Sequence, residues 1–424
     1  MLLQLKNTIT VFSITTCPHC LKAKSTLASL KAPFTEINIE THPNRRSDMI
    51  ALSSRMSVPQ VFFGNRHLGG NDDFQKLLSS IPSGASDELV QGWFDSEIVE
   101  GELDSRLLPS TDPPVVVQPL PEINDKNTML NEKRGGSYIA LNDELVWTGS
   151  DNVDPVQLTH SLKKMVDGVC SDHRTDMGVD YAEAKKSERF ETFKKSTAML
   201  QACEMSSMDN EVKTAFLVNL YNILIKHAFI QVGIPFTEGT NPTGGQGKIM
   251  GGFFDGVGYV LGSSQQFFSF DGLENGLLRG NRSNIYKSGD DRLQLALSDK
   301  DVDRRIHFAL NCGASSCPPI KKFTGEAIRE ELDIVSASYC ESDGNVLVGE
   351  GFLQLNTIFK WYRVDFGETD VQVASAIVDY LRGDKKRKLE QLLESVPADG
   401  EFIKYFPYDW KSDSILPVIE FVGL

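Results

Sequence analysis

The spacing of apolar positions changes repeatedly along residues 8–82, and each change marks an element. Ile9-Thr10-Val11-Phe12-Ser13-Ile14 is an apolar run of strand length and predicts a strand over about Thr8–Ile14. Cys20, Ala23, Leu27 and Leu30 fall on one face of a helix beginning at Pro18. Phe34-Thr35-Glu36-Ile37-Asn38-Ile39 alternates in part, as a strand does, and Arg45–Ser54 reads as helical. Val58-Pro59-Gln60-Val61-Phe62-Phe63 is the next strand, Gly64-Asn65 a hairpin turn and Arg66-His67-Leu68 its return. Gly69-Gly70 ends the hairpin, and Asp72–Leu78 opens a last helix with an acidic first turn. The order β-α-β-α-β-β-α predicts an α/β unit with helices on both faces of its sheet.

From Pro82 the pattern breaks. Pro113-Pro114, Pro119 and Pro121, together with Asp87, Glu88, Asp95, Glu97, Glu100, Glu102 and Asp104, read as an acidic, Pro-rich tether. Trp93-Phe94 runs against this, since bulky aromatics usually pack on something. Helical stripes then return. Val156–Val169 places Leu158, Leu162, Met165 and Val169 together, and Glu188–Glu204 reads as a second helix. Val212–Val232 is apolar almost all round, the pattern of a core helix. Gly244-Gly245-Gln246-Gly247 and Gly251-Gly252 suggest a loop, Tyr259–Phe270 a hairpin, Leu273–Leu278 a short helix and Ile306–Leu310 a buried strand. Ala327–Tyr339 is helical, Val346–Val348 and Phe352–Leu355 are strand-like, and Val371–Leu381 and Leu389–Val396 are helical. The expected organisation is an α/β domain (1–82), a linker (83–136) and a larger α+β domain of unassigned fold (137–424).

The 424 residues carry a net charge of −15, which argues against nucleic acid or an anionic membrane as partner. Lys385-Lys386-Arg387-Lys388 is too brief to alter that and reads as the wet face of a helix. No apolar stretch reaches the ~18 residues of a membrane span. Met1-Leu2-Leu3-Gln4-Leu5-Lys6-Asn7 lacks the organisation of a signal peptide. The seven cysteines (17, 20, 170, 203, 312, 317 and 340) are odd in number and do not form a secreted disulfide framework, so a reducing compartment, the cytoplasm, is expected.

The chemistry begins at Cys17-Pro18-His19-Cys20, two thiols where the first strand gives way to the first helix. Backbone N–H groups at a helix N-terminus stabilise a thiolate, and a second thiol in reach can release it from a mixed disulfide. Half a zinc site and two inert buried cysteines are the alternatives. Zinc would need a second ligand pair, but His42 and His67 come singly, so no metal is expected. The position after a strand, with proline inside the motif, favours redox exchange.

Three spaced segments carry a family resemblance: Val11-Phe12-Ser13…Thr16-Cys17-Pro18-His19-Cys20, Arg55-Met56-Ser57-Val58-Pro59-Gln60-Val61-Phe62-Phe63 and His67-Leu68-Gly69-Gly70-Asn71-Asp72-Asp73. Residues 8–80 resemble a glutaredoxin. The resemblance implies a thioredoxin-like fold, Cys17 as attacking thiolate, Cys20 as resolving thiol and Pro59 as a cis proline facing the sulfurs. It implies glutathione as co-substrate. The backbone of Val58 would pair with its cysteine moiety, Asp72 and the helix N-terminus near Asn71 would hold its γ-glutamyl end, and Arg55 would assist at the glycyl carboxylate. Two positions depart from the family pattern. His19 replaces the usual tyrosine, which suggests a more oxidising couple unless the imidazole is simply a surface group. Ile14 replaces a basic residue that often anchors glutathione.

In the larger domain, Ile306-His307-Phe308-Ala309-Leu310-Asn311-Cys312-Gly313-Ala314-Ser315-Ser316-Cys317-Pro318-Pro319, Phe216-Leu217-Val218-Asn219-Leu220-Tyr221-Asn222 and Tyr408-Asp409-Trp410 stand out. They resemble domain of unknown function 547 over about Leu158–Asp413, a family that brings no activity with it. Three readings stay open. Cys312 is a nucleophile served by Asn219, Asn222 and His307, as in acyl transfer. Alternatively, the asparagines tie loops to the core and the cysteines are buried hydrophobes. Or Cys312 and Cys317 form a disulfide. Cys170 and Cys203 read as core residues.

The reading reached is a glutathione-dependent thiol–disulfide oxidoreductase acting on protein or mixed disulfides, with a second domain for targeting a protein partner or for another activity. The competing classes are an interaction scaffold with a binding-only glutaredoxin part, including one holding an iron–sulfur cluster between two chains, and a cysteine hydrolase or acyltransferase within residues 155–415.

Overall fold

Alternation of buried positions and the hairpin turn produce a four-stranded sheet in the first part of the chain. The computed structural model describes residues 9–15, 17–82, 84–98, 101–115, 120–124, 126, 128–130, 138–149, 153–235, 252–415 and 421. The lead-in Met1–Asn7, Thr16, Gly244–Gly247 and Gly251 lie outside these. Two compact units divide the chain, Met1–Pro119 with Arg329–Ile334, and Leu120–Ile328 with Val335–Leu424.

In the first unit the elements are β1 (Ile9–Ser13), α1 (Pro18–Ser29), β2 (Phe34–Asn38), α2 (Arg45–Ser53), β3 (Gln60–Phe63), β4 (Arg66–Gly69) and α3 (Asn71–Leu78). The sheet order is β2-β1-β3-β4. β1 runs parallel to β2, pairing Val11 with Glu36, and antiparallel to β3, pairing Val11 with Val61. This is the thioredoxin-like arrangement. Ile9, Val11, Val61 and Phe63 join Ala23 and Leu27 of α1 and Phe74 of α3 in one core. That packing anchors β1 and α1, and with them the turn that carries Cys17.

The expected linker needs correction. Asp87–Glu97 forms a helix, α4, capped by Ser86, whose side chain accepts the Leu89 N–H. Val90, Phe94 and Ile98, spaced at i, i+4 and i+8, enter the same core, and the Phe94 ring lies 5.5 Å from that of Phe63. Trp93 Nε1 donates to Ser80 Oγ at 3.0 Å. Asp87, Glu88 and Asp95 stay exposed, which is why the segment looked like a tether. Further along, buried Leu107 offers its carbonyl to Thr10 Oγ1 at 3.0 Å, and the Arg45 guanidinium donates to the carbonyls of Arg106 and Leu108 at 2.6 and 3.2 Å. Burying a phenylalanine-sized side chain is worth ~1.5–3 kcal/mol, enough to hold an acidic helix in place.

The second unit is built around the helix Asn210–Gln231, whose side chains from Lys213 to Ile225 are all buried, and which packs extensively on the helix Pro155–Asp172. Gln266–Ser269, Val257–Leu261 and Ile139–Ala140 form one three-stranded sheet, and Val346–Gly349, Phe352–Leu355 and Ile403–Tyr405 another. Mixed α and β structure is therefore observed, as expected. Two elements differ. The helix begun at Glu188 ends at Ser196 and tightens into a 3-10 turn, Thr197–Ala202. The strand expected over Ile306–Leu310 is instead a 3-10 helix, Arg304–Phe308, started by Asp303, whose carboxylate accepts the Arg305 N–H. All of Ile306–Leu310 is buried, so the run has no period by which strand and helix could be told apart.

Candidate functional site

Cys17 is the N-cap residue of α1, with extended backbone and Pro18 at the first helical position. Proline suits that place because its missing N–H would have no helical partner there. The Cys17 sulfur accepts the Cys20 N–H at 3.4 Å and lies 3.9 Å from the Val58 carbonyl oxygen. Cys17 is half-buried, His19 is exposed, and Cys20 is wholly buried one turn along. Burial, reinforced by the neighbouring Cys17 thiol, pushes the Cys20 thiol up to about 12. One sulfur thus sits half-buried at a helix N-terminus, while the second is held as a neutral, buried thiol one turn along.

The Val58–Pro59 peptide is cis, as expected, and Pro59 is buried beside half-buried Val58. Asn71 is buried at the start of α3 and donates to Asp72 Oδ1 at 3.2 Å, while Asp72 itself is exposed. Arg55 is ion-paired with Asp73 at 3.0 Å. Asp73 lies in the third family segment but had no role assigned to it from the sequence. Its carboxylate accepts the Gly70 N–H at 3.1 Å, and that bond, with Arg55, holds its pKa below the usual carboxylate range. An acid at the third helical position, after a glycine pair, was the available signal. Gly69 has φ +122°, and a Cβ there would sit 2.2 Å from the Asp73 carboxylate. This position requires glycine. Residues 55–59 and 69–73 therefore form one braced cluster, and the Val58 carbonyl brings it to the Cys17 sulfur.

The second set of candidates divides. Asn219 and Asn222 are buried on the core helix and clamp loops with both ends of their amides. Asn219 donates to the Phe323 carbonyl at 2.8 Å and accepts its N–H at 3.0 Å. Asn222 donates to the Ala309 carbonyl and accepts the Asn311 N–H, both at 2.9 Å. His307 is not brought to Cys312. Its Nε2 pairs with Asp365 at 2.7 Å, and its buried Nδ1 has no hydrogen-bond partner among the described residues. Arg279 and Arg282 hold the same Asp365 carboxylate. Cys312 and Cys317, by contrast, do meet, with sulfurs 3.0 Å apart. Tyr408 completes the group, its hydroxyl 3.1 Å from the Cys317 sulfur. Cys170 and Cys203 are buried, and burial raises their thiols to about 11 and about 12.

Comparison with known proteins matches residues 9–68 to the family described as Glutaredoxin and residues 205–340 to a protein family of unknown function, DUF547. The chain is 38% identical over 69 residues to Glutaredoxin 3 of Escherichia coli strain K12, covering 16% of this chain and 83% of that protein. It is 40% identical over 78 residues to Glutaredoxin-2 of Schizosaccharomyces pombe, covering 18% and 70%. The solution structure of a glutaredoxin from Brucella melitensis is 34% identical, covers 20% of this chain and 91% of its own, and has a TM-score of 0.17. Among the described residues no helix is long and apolar enough to cross a membrane.

Proposed function

Because the chain belongs to the glutaredoxin family through its first unit, we propose that it is a glutathione-dependent thiol–disulfide oxidoreductase. The observation that carries this reading is the half-buried Cys17 at the N-cap of α1, with the neutral, buried thiol of Cys20 one turn along. In the proposed cycle the Cys17 thiolate attacks a disulfide formed between glutathione and a substrate thiol. The Cys17–glutathione bond forms, and the substrate sulfur leaves as a thiolate that takes up a proton. A second glutathione then attacks the mixed disulfide, giving glutathione disulfide and restoring Cys17. With a protein disulfide, Cys20 makes the second attack after losing its proton, and the Cys17–Cys20 disulfide is later reduced by two glutathione molecules.

The Val58 backbone would pair with the cysteine moiety of glutathione, and Pro59 would face the sulfurs. Asp72 would take the γ-glutamyl amine, and the N–H groups at the start of α3, near Asn71, would take its carboxylate. Arg55 already pairs with Asp73, so at the glycyl carboxylate it would act as a shared cation. Cytoplasmic action fits a dithiol that must be kept reduced between turnovers.

The test is glutathione-dependent reduction of a small mixed disulfide by wild type, Cys17→Ser and Cys20→Ser. Cys17→Ser should be inactive, whereas Cys20→Ser should keep turnover on the mixed disulfide and lose it on a protein disulfide. Activity surviving in Cys17→Ser would remove the assignment.

A further inference from the structure

The second unit carries a pair of thiols that the first-unit chemistry does not use. Cys312 and Cys317 belong to a loop pinned from several directions. At its start, Asn222 of the core helix holds both the Ala309 carbonyl and the Asn311 N–H. Across the loop, Asn311 donates to the Pro318 carbonyl at 2.7 Å and accepts the Gly313 N–H at 2.7 Å. Ser315 and Ser316 bond to the backbone at Lys411 and Asp409, with Ser315 N donating to the Lys411 carbonyl at 2.7 Å and Ser316 Oγ accepting the Asp409 N–H at 2.8 Å. Gly313 has φ +92°, and a Cβ there would meet the Phe229 ring at 2.2 Å, so the bend after Cys312 depends on glycine.

This bracing places the two sulfurs in contact and gathers three polar groups around one of them. The Cys317 sulfur accepts the Cys312 backbone N–H at 3.2 Å and lies within hydrogen-bond reach of the Tyr408 hydroxyl at 3.1 Å and the Cys312 sulfur at 3.0 Å. Both cysteines remain half-buried, unlike Cys170, Cys203 and Cys340. The same loop also lines a cavity of about 390 Å³ through Asn311, Gly313, Ala314 and Ser315.

We propose that Cys312 and Cys317 form a second dithiol–disulfide centre, which a small-molecule disulfide of the glutathione type closes and glutathione reopens. In the closing reaction the Cys317 thiolate attacks one sulfur of glutathione disulfide. A Cys317–glutathione bond forms, the original S–S bond breaks, and one glutathione leaves as a thiolate that takes up a proton. The Cys312 thiol then loses its proton, attacks the Cys317 sulfur and expels the second glutathione. Two protein thiols are oxidised and one glutathione disulfide becomes two glutathiones. The sulfurs need approach by only about 1 Å to bond, so the second step outruns release of the mixed disulfide. Electrostatics agree with this order. Burial works to raise the Cys317 thiol, but the donors from Cys312 and Tyr408 outweigh it and bring it down to about 7. Cys312 is held well above an ordinary thiol by its hydrogen bond with Cys317, with desolvation adding to the rise. The entering thiolate is therefore Cys317, the sulfur that also accepts a backbone N–H, whereas the acyl-transfer reading of the sequence named Cys312 as nucleophile.

Tryptic cleavage after Arg305 and Lys321 leaves both cysteines on one peptide, Ile306–Lys321. The full-length wild-type chain is equilibrated with glutathione and glutathione disulfide at increasing oxidant ratio, its free thiols are alkylated, and this peptide is weighed. The expected result is a species two hydrogens lighter with neither cysteine alkylated, returning to a doubly alkylated form under excess glutathione. Full alkylation at ratios that oxidise Cys17 and Cys20, or a stable single glutathione adduct, overturns the proposal. The Cys17–Cys20 peptide is read in the same digest, so failure of the first-unit reading is seen separately. Limited iodoacetamide labelling of the reduced chain at pH 7 should mark Cys317 before Cys312, and the reverse order overturns the mechanism. In Tyr408→Phe, loss of one donor worth about one pKa unit should slow Cys317 labelling about fivefold at pH 7 and hardly at all at pH 9. Equal slowing at both pH values overturns the hydroxyl's role.

Discussion

Alkylation should separate the two thiols of the first unit by orders of magnitude. Cys20 has no exposed surface, and burial pushes its thiol up from 9.0 to about 12, with the adjacent Cys17 thiol adding to the rise. At pH 7.5 a thiol at 9.0 is roughly 3% thiolate, whereas one at 12 is roughly 0.003%, so Cys20 should react about a thousandfold more slowly than an ordinary thiol before steric shielding is counted. The experiment treats the reduced full-length chain with iodoacetamide at pH 7.5 and quenches it at intervals. Trypsin releases Asn7–Lys22, which carries both cysteines, and fragmentation of that peptide locates the label. The same reaction in concentrated urea supplies the rate for each unfolded thiol. Cys20 should remain unlabelled in the native chain long after Cys17 is complete, and should recover an ordinary rate in urea. Native Cys20 labelling within tenfold of its urea rate would falsify the picture of a buried thiol that only the neighbouring sulfur can reach. The same logic sets a sign for stability. The raised thiol keeps its proton in the folded chain while the unfolded chain loses it, so this contribution is complete below pH 9 and is lost as pH rises towards 12.

Phe94→Ala removes a fully buried ring that packs on Phe63 and should destabilise the first unit by about 3–5 kcal/mol, read as a lower urea midpoint for its transition. An unchanged midpoint would return residues 87–98 to the status of a tether. Gly69→Ala forces a side chain into a φ of +122° and against the Asp73 carboxylate. A loss of about 1–3 kcal/mol in thermal unfolding, with a raised KM for glutathione, is expected. His227 is buried between Phe190 and Phe193, with Nδ1 2.9 Å from the Tyr259 hydroxyl. Burial, with Lys194 adding to it, lowers its pKa from 6.5 to about 3. The unfolded chain takes up that proton first, so stability is complete above pH 6.5 and falls as pH drops towards 3, by on the order of 5 kcal/mol at the acid end. His227→Leu should flatten the decline measured by urea melts at pH 4.5 and pH 7, and an unaltered slope would move the acid sensitivity to other groups.

Much of the first unit was legible because its signals are local. Two thiols two residues apart after an apolar run, Gly64-Asn65 between two strands and a glycine pair before an acidic helix start each constrain the backbone within a few residues. The misreadings share the opposite property. Val90, Phe94 and Ile98 are apolar at helical spacing but sit among acids, and only the facing surface of Phe63 and Phe74 shows that they are buried. Ile306–Leu310 is apolar without a period, so its 3-10 turn was set by the core around it.

The second dithiol marks the boundary most clearly. Composition and spacing determined that Cys312 and Cys317 lie on a loop rich in small residues and ended by two prolines. They marked Tyr408 and Asn222 as unusual but did not show that Tyr408 reaches the sulfurs from 96 and 91 residues away, or that Asn222 clamps Asn311 from 89 residues before it. Such partners are chosen by packing of distant segments against the core helix, whose free energy is a sum over many contacts and leaves no pattern at any one position. Only the folded chain decides which of two adjacent thiols is surrounded by donors, and therefore which one ionises.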